Sequence, residues 1–250
     1  MPFKTSKKIV VYTVLVIAIG VLLTLLYYLP VGKDTTPAVI VEQKILETEK
    51  PFRIEIVYPT IPGVDDFNAK AISIVEAQLK EFKKTSLETD SLRRITMTAE
   101  EYGNFNLNSP YYLSITYEKG IVSHKIVSMV FRIEHYTGGA HGNRAFIALN
   151  YHIADKKEIT LADVFPPSTR GYLQKISDYC IQDLIKQIRE LTGEAYEAYI
   201  DEVWIREGAS PKTENFSNFL FDDKSITFYF PPYQIAPYAL GDFKVVMGRD

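Results

Sequence analysis

From Ile9 to Leu29 run 21 residues without a charge, and no other stretch of the chain so narrows what it can fold into. At about 1.5 Å of rise per residue, a helix of this length crosses the roughly 30 Å hydrocarbon core of a bilayer. A soluble core helix is seldom apolar on every face. Lys4, Lys7 and Lys8 precede the stretch, and basic flanks stay on the cytoplasmic side. The sequence therefore predicts a cytoplasmic tail at 1–8, a single uncleaved transmembrane helix at 9–29 with Tyr27 and Tyr28 at its outer interface, and an extracytoplasmic remainder. A cleaved signal peptide is the rival reading. It fits less well, because the stretch exceeds the ~7–15 apolar residues such peptides use and no small-residue cleavage site follows.

What remains of the 250 residues suffices for one sizeable domain or two small ones sharing a core. Lys and Arg number 28 against 31 Asp and Glu, a net of −3, so charge gives no case for nucleic acid as a partner. One cysteine, Cys180, cannot form an intramolecular disulfide. The domain must be held by packing, for which 17 Tyr and 14 Phe supply large side chains.

Along the ectodomain, residues 30–50 read as a linker that carries a first strand at Ala38–Leu46. Phe52–Tyr58 alternates apolar and charged residues like a half-buried strand, with Pro59 and Pro62-Gly63 ending it. Asp65 or Asp66 is placed to cap a helix whose Phe67, Ala71, Ile74, Val75, Leu79 and Phe82 recur near a 3.6 period. Strands are then expected at Ser91–Tyr102, Tyr111–Tyr117 and Ile121–Tyr136, with a hairpin at Lys119-Gly120, and at Arg144–His152 and Glu158–Leu161. After Pro166-Pro167, Ser168 or Thr169 caps a helix striped by Leu173, Ile176, Cys180, Leu184, Ile188 and Leu191 and ended by Gly193. A second helix is expected from Glu194 to about Arg206, followed by strands at Asn218–Phe221, Ile226–Phe230 and Phe243–Met247. The fold class is α+β: mainly antiparallel sheets packed with about three amphipathic helices.

Three sets of residues carry a resemblance: Tyr58-Pro59 with Ile61-Pro62-Gly63 and Asn68; the run His135-Tyr136-Thr137-Gly138-Gly139-Ala140-His141-Gly142; and Phe228-Tyr229-Phe230 leading to Tyr233-Gln234-Ile235-Ala236-Pro237-Tyr238-Ala239-Leu240-Gly241. They resemble the paired extracytoplasmic domains of the lysozyme-sensing anti-sigma factor RsiV and of the accessory region of the peptidoglycan deacetylase PdaC. Leu161–Phe165 also fits the family, as a short strand exit. The resemblance spans roughly 50 to 247 and implies a PdaC-like part at 51–142 and an RsiV-like part at 143–250. It further implies an envelope location and a binding role. The segments that bind a sigma factor or catalyse deacetylation in those relatives have no counterpart in this sequence.

Motifs for chemistry are sparse. The four histidines, His124, His135, His141 and His152, include no H-E-x-x-H or cysteine pair, and a zinc ion near the glycine turn would find only Glu134 or Asp155 as a third ligand. No G-x-S-x-G or phosphate loop is present. Asp65/Asp66 and Asp222/Asp223 sit where turns and caps use Asp. No catalytic residue, metal or cofactor is therefore assigned, and the chain is read as a non-enzyme. As ligand-binding residues the sequence offers Gly138, Gly139 and His141 in a turn whose glycines permit close backbone approach, and Tyr233, Pro237 and Tyr238 in a proline-stiffened loop. Two tyrosines closing a sheet edge would give the same loop. The expected function is a membrane-anchored binding or sensor module for a lysozyme-like protein or a peptidoglycan glycan. The alternatives are a cell-wall carbohydrate hydrolase or deacetylase, and a purely structural envelope domain.

Overall fold

A computed structural model describes residues 38–108, 111–165, 171–193 and 201–249. The expected tail and transmembrane helix at 1–29 lie outside the described residues. Among those described, no helix is long and apolar enough to cross a membrane.

The described chain is α+β, with six strands in one sheet and three in another. The first sheet runs in sequence order: β1 (Val41–Glu47), β2 (Phe52–Thr60), β3 (Tyr111–Val122), β4 (Ile126–Tyr136), β5 (Asn143–His152) and the two-residue β6 (Lys157–Glu158). All neighbours are antiparallel except β2 and β3, which are parallel. Between them the chain makes α1 (Asp65–Thr96) and α2 (Ala99–Asn108), the long crossover that a parallel pair requires. Phe67, Ala71, Val75 and Phe82 of α1 are buried on one face of the sheet against Ile54, Ile56, Leu113, Ile115, Val127, Met129, Phe131 and Ile133. These are the period-2 and period-3.6 positions expected of a half-buried strand and an amphipathic helix.

Beyond β6 come α3 (Leu161–Val164), α4 (Tyr172–Thr192), α5 (Glu202–Gly208), a 3-10 turn (Thr213–Phe216), and a second sheet of β7 (Phe219–Phe221), β8 (Ser225–Phe230) and β9 (Phe243–Gly248). Ile176, Cys180, Leu184 and Ile188 of α4 are fully buried and pack with Phe219, Phe221, Ile226, Phe228, Phe230 and Val245. The opposite side of the second sheet presents Leu220 and Tyr229 to Val130, Phe146 and Ala148 on the free face of the first. At this junction the Ser128 hydroxyl donates to Asn150 Oδ1 at 2.6 Å and accepts from Phe221 N at 2.8 Å, while Asn150 Nδ2 donates to Phe219 O at 3.0 Å. The layers run helix, sheet, sheet, helix.

Several local expectations change. Five α-helices are described rather than about three. The stretch 91–102 is not a strand: α1 continues to Thr96, and α2 starts at a Thr98/Glu101 capping box, with Thr98 N donating to Glu101 Oε2 at 2.9 Å and Glu101 N to Thr98 Oγ1 at 3.3 Å. Lys119-Gly120 is not a hairpin turn, because β3 continues through a register shift to Val122 and the chain reverses at Ser123, whose hydroxyl accepts from Lys125 N and Ile126 N. A Cβ on Gly120 would stand 2.2 Å from Phe221 O, so this glycine admits the second sheet. Pro59 does not end β2 but pairs with Glu42, beyond the last β2–β3 pair at Ile56. Asp65 and Asp66 lie in the first turn of α1 without capping it; Asn68 instead bonds back to both backbone groups of Ile61. Leu161–Phe165 is no strand, since a Thr160/Asp163 capping box starts α3 there. Leu191 leaves the buried stripe of α4 and is exposed. Residues 166–170 and 194–200, where a cap and the start of a second helix were expected, lie outside the described residues.

Pairing registers fix the two ends of the first sheet. Glu47, Phe52, Tyr112, Tyr136 and Asn143 mark one end, and Val41, Thr60, Val122, Ile126 and His152 the other. The chain arrives at the second end, where Ala38 N donates to Val122 O. The 11 residues of β4 separate the ends by roughly 35 Å.

Candidate functional site

At the end remote from Ala38, β4 and β5 are joined by the turn 137–142. Gly138 adopts φ +100°, and a Cβ there would stand 2.6 Å from an Arg93 guanidinium nitrogen. Arg93, near the end of α1, donates to the Gly138 carbonyl and to Tyr111 Oη (3.2 Å), and its guanidinium lies 3.7 Å from the Phe105 ring centre. Gly142 serves close approach as well, since a Cβ would stand 2.6 Å from Tyr112 Oη. Gly139 is exposed, with no comparable neighbour. The turn thus projects His141 outward, and His141 Nδ1 donates to the Gly142 carbonyl at 2.8 Å.

The second loop meets it. Pro231 and Pro232 follow β8, and a one-turn 3-10 helix (Tyr238–Leu240) begins after Pro237. His141 stacks on Tyr238, with ring centres 3.7 Å apart and planes 19° from parallel, and its Nε2 is hydrogen-bonded to Tyr233 Oη at 3.1 Å. Tyr233 and Tyr238 are themselves 5.7 Å apart. Because the Gly142 carbonyl can only accept, Nδ1 carries a proton, and the Tyr233 hydroxyl, which can donate or accept, serves Nε2. The histidine of one loop and the two tyrosines of the other therefore make a single aromatic cluster.

Tyr233 is 52% exposed and holds φ +71°, a left-handed backbone that a large side chain adopts only when its surroundings impose it. Those surroundings are visible. Trp204 Nε1 of α5 donates to Tyr233 O at 3.1 Å, and Tyr233 N donates to Ala236 O. Gln234 Nε2 donates to Gly208 O and Asn215 O, and a Cβ on Gly208 would stand 2.0 Å from Gln234 O.

Beside the rings, the free face of the first sheet carries an ion network. Glu134 Oε1 accepts from Arg132 Nε at 2.7 Å and Arg144 Nε at 2.9 Å, and Arg144 also donates to Asp242, just after the loop. Although burial works against its charge, the bonds to Asp242 and Glu134 hold the Arg144 guanidinium above its ordinary value. Burial, then the nearby Glu134 carboxylate and Tyr238, push the Tyr112 phenol up. Tyr112 stacks on Tyr136 across the strand pair.

Of the residues expected at the site, His141, Tyr233 and Tyr238 touch one another, Pro237 starts the turn that sets Tyr238, and Gly138 positions the loop through Arg93. Sequence reasoning missed Tyr112, Arg132, Arg144, Trp204 and Asp242. The β-strand period was the available signal for the strand residues, since Arg132, Glu134 and Arg144 occupy positions facing away from the core. The metal candidates scatter. His135 faces the α1 side, Glu134 is held by two arginines, and Asp155 pairs with His152 at 3.2 Å. Among the described residues no three His, Cys, Asp or Glu side chains converge as a metal site. The Asp222 carboxylate accepts from Lys224 N and Ser225 N within its turn. Cys180 is buried, and burial pushes its thiol far up.

Residues 45–144 match the family model described as deacetylase PdaC, and residues 162–250 match that of a protein of unknown function, DUF3298. The chain pairs a PdaC domain with a DUF3298 domain. The aromatic cluster lies where they meet, His141 coming from the PdaC domain and Tyr233 and Tyr238 from the DUF3298 domain. Over 200 residues the chain is 26% identical to the peptidoglycan-N-acetylmuramic acid deacetylase PdaC of Bacillus subtilis, a match covering 80% of this chain and 38% of that protein. Crystal structures of DUF3298 family members share the fold. One from Bacteroides fragilis has TM-score 0.51 and 22% identity over 86% of this chain and 92% of its own; one from Pseudomonas aeruginosa has TM-score 0.51 and 14% identity over 86% and 91%.

Proposed function

We propose that this protein is a membrane-anchored, extracytoplasmic binding module that recognises a cell-wall-related ligand, a peptidoglycan glycan or a lysozyme-like protein, at the His141–Tyr233–Tyr238 cluster. The observation that carries this reading is the convergence of two loops, distant in sequence, on one exposed aromatic group whose backbone is held in a left-handed conformation. Rigid aromatic anchors with polar tips lose little entropy on binding and dominate recognition surfaces. The Bacillus subtilis relative, named for a peptidoglycan substrate, supports a cell-wall ligand, and the chain spans only 38% of that protein. The reading we put forward is binding, carried by the aromatic cluster.

Trp204, the only tryptophan, bonds to the Tyr233 carbonyl and reports on the site. Titrating the protein with lysozyme and, separately, with soluble peptidoglycan fragments should change its fluorescence saturably in one arm. Tyr238→Ala should weaken that binding about thirtyfold, near 2 kcal/mol, with an unchanged melting temperature. A saturable ligand whose affinity ignores Tyr233→Ala and Tyr238→Ala would refute this site.

A further inference from the structure

Strand alternation sets Tyr112 of β3, Arg132, Glu134 and Tyr136 of β4 and Arg144 of β5 on the free face of the first sheet, opposite the side packed under α1. The second sheet reaches this face at Val130, Phe146 and Glu118, where Tyr229 donates to Glu118 and Lys244 pairs with it. Beyond that contact, toward the remote end, Tyr112 is 37% exposed and stacks on Tyr136 with ring centres 6.3 Å apart and planes 22° from parallel. The polar groups beside the rings keep capacity in reserve. Arg132 bonds through Nε to Glu134 at 2.7 Å and brings Nη2 no closer than 3.9 Å to Asp242, so its terminal nitrogens make no hydrogen bond among the described residues. Glu134 receives both arginines on Oε1, which leaves Oε2 to accept. The Tyr112 phenol feels Glu134, Tyr238 and Arg144 through space without bonding to them. Arg132 and Arg144 stand against Glu134 and Asp242, so the floor is neutral as a whole.

We propose that this open floor is a saccharide subsite beside the aromatic cluster, where an uncharged pyranose ring lies against Tyr112 and Tyr136 while Arg132 and Glu134 chelate its neighbouring hydroxyls. The chemistry of the occupant follows from what the floor offers. A pyranose has an apolar C–H face that suits a tyrosine ring, and its hydroxyls both donate and accept, as the free Arg132 nitrogens and Glu134 Oε2 require. A neutral floor favours a ligand without net charge. Glu134 is already held by two arginines and Arg144 by Asp242, so little side-chain freedom is lost when a sugar arrives. From Arg132 to Tyr136 the floor runs roughly 14 Å along β4, longer than one sugar ring, and it ends beside the His141 turn. This subsite presupposes the binding role proposed above and narrows its ligand to the glycan.

Calorimetric titration of the full-length protein in detergent with the β-1,4-linked tetramer of N-acetylglucosamine, an uncharged glycan, provides the test. Saturable binding is expected, with an affinity that changes less than about twofold between about 50 and about 500 mM salt. An affinity that falls steeply with salt overturns the neutral occupant. Tyr112→Ala and Arg132→Gln should each weaken binding at least about tenfold, whereas Tyr112→Phe, which keeps the ring, should retain most of it. A change at a surface ion pair costs little stability, so lost affinity in Arg132→Gln does not come from unfolding. Tetramer binding that resists Tyr112→Ala and Arg132→Gln but falls with Tyr238→Ala overturns the subsite and leaves the cluster as the binding site. No saturable binding of the tetramer overturns the subsite outright, and titration with lysozyme then decides whether the binding role falls with it.

Discussion

The two faces of the six-stranded sheet are held by different means. On the face under α1, apolar side chains at alternate strand positions meet apolar positions of one amphipathic helix, and burial alone accounts for the contact. The other face is divided. Its middle is covered by β7 and β8 through Val130, Phe146, Leu220 and Tyr229, with the Ser128–Asn150 pair hydrogen-bonded to the β7 backbone. Its remote end carries arginines, carboxylates and the aromatic cluster. One face builds the PdaC domain, while the other joins the two domains and carries the aromatic cluster at its remote end.

The contrast is broken most severely at the first face. Phe131 is fully buried among β4 and α1 side chains, and Phe131→Ala removes most of a ring from a packed interior. A loss of about 3–5 kcal/mol is expected, read as a lower midpoint in urea with an unchanged slope. A smaller effect belongs to the junction. Asn150→Ala leaves the Phe219 carbonyl without its donor and Ser128 Oγ without its acceptor, which costs about 1–3 kcal/mol. Tryptophan fluorescence, with Trp204 in the DUF3298 domain, and far-ultraviolet dichroism should then show the two domains melting apart. Coincident transitions in that variant would mean that the apolar contacts alone couple them.

This difference also decides what could be read in the sequence. Val127, Met129, Phe131 and Ile133, and Ile176, Cys180, Leu184 and Ile188, announce their buried faces by period, because each element meets one partner. Gly120 reads locally as a turn and is in fact the place where Phe221 O approaches, a requirement set by a strand 101 residues later. Ser91–Tyr102 reads as a strand from its composition, although Thr98 and Glu101 spell a capping box. For the site, the glycine turn and the tyrosine loop stand out as motifs, but no spacing tells that His141 reaches Tyr233, 92 residues away. Arg144 and Asp242 become partners only once β5 and the loop before β9 are folded together.

The mildest test sets the two histidines of the β4–β5 region against each other. His135 shares the strand parity of Ile133 and points to the α1 side, whereas His141 is exposed among the rings. Burial lowers the pKa of His135 below its ordinary value near 6.5. Between that value and the lower folded one, the unfolded chain binds a proton that the folded chain refuses, so stability falls as pH falls through this window. It is fully present above about pH 6.5 and falls no further, on this account, once the folded imidazole is protonated too. Melting temperatures measured from pH 7.5 to 5 should therefore slope downward in the wild type, and His135→Gln, which has no such proton to bind, should flatten the slope. His141→Gln should leave the slope in place if the α1-facing histidine is its source. A slope that persists in His135→Gln and vanishes in His141→Gln would transfer the pH response to the exposed cluster and make that end, rather than the packed face, the acid-sensitive part of the sheet.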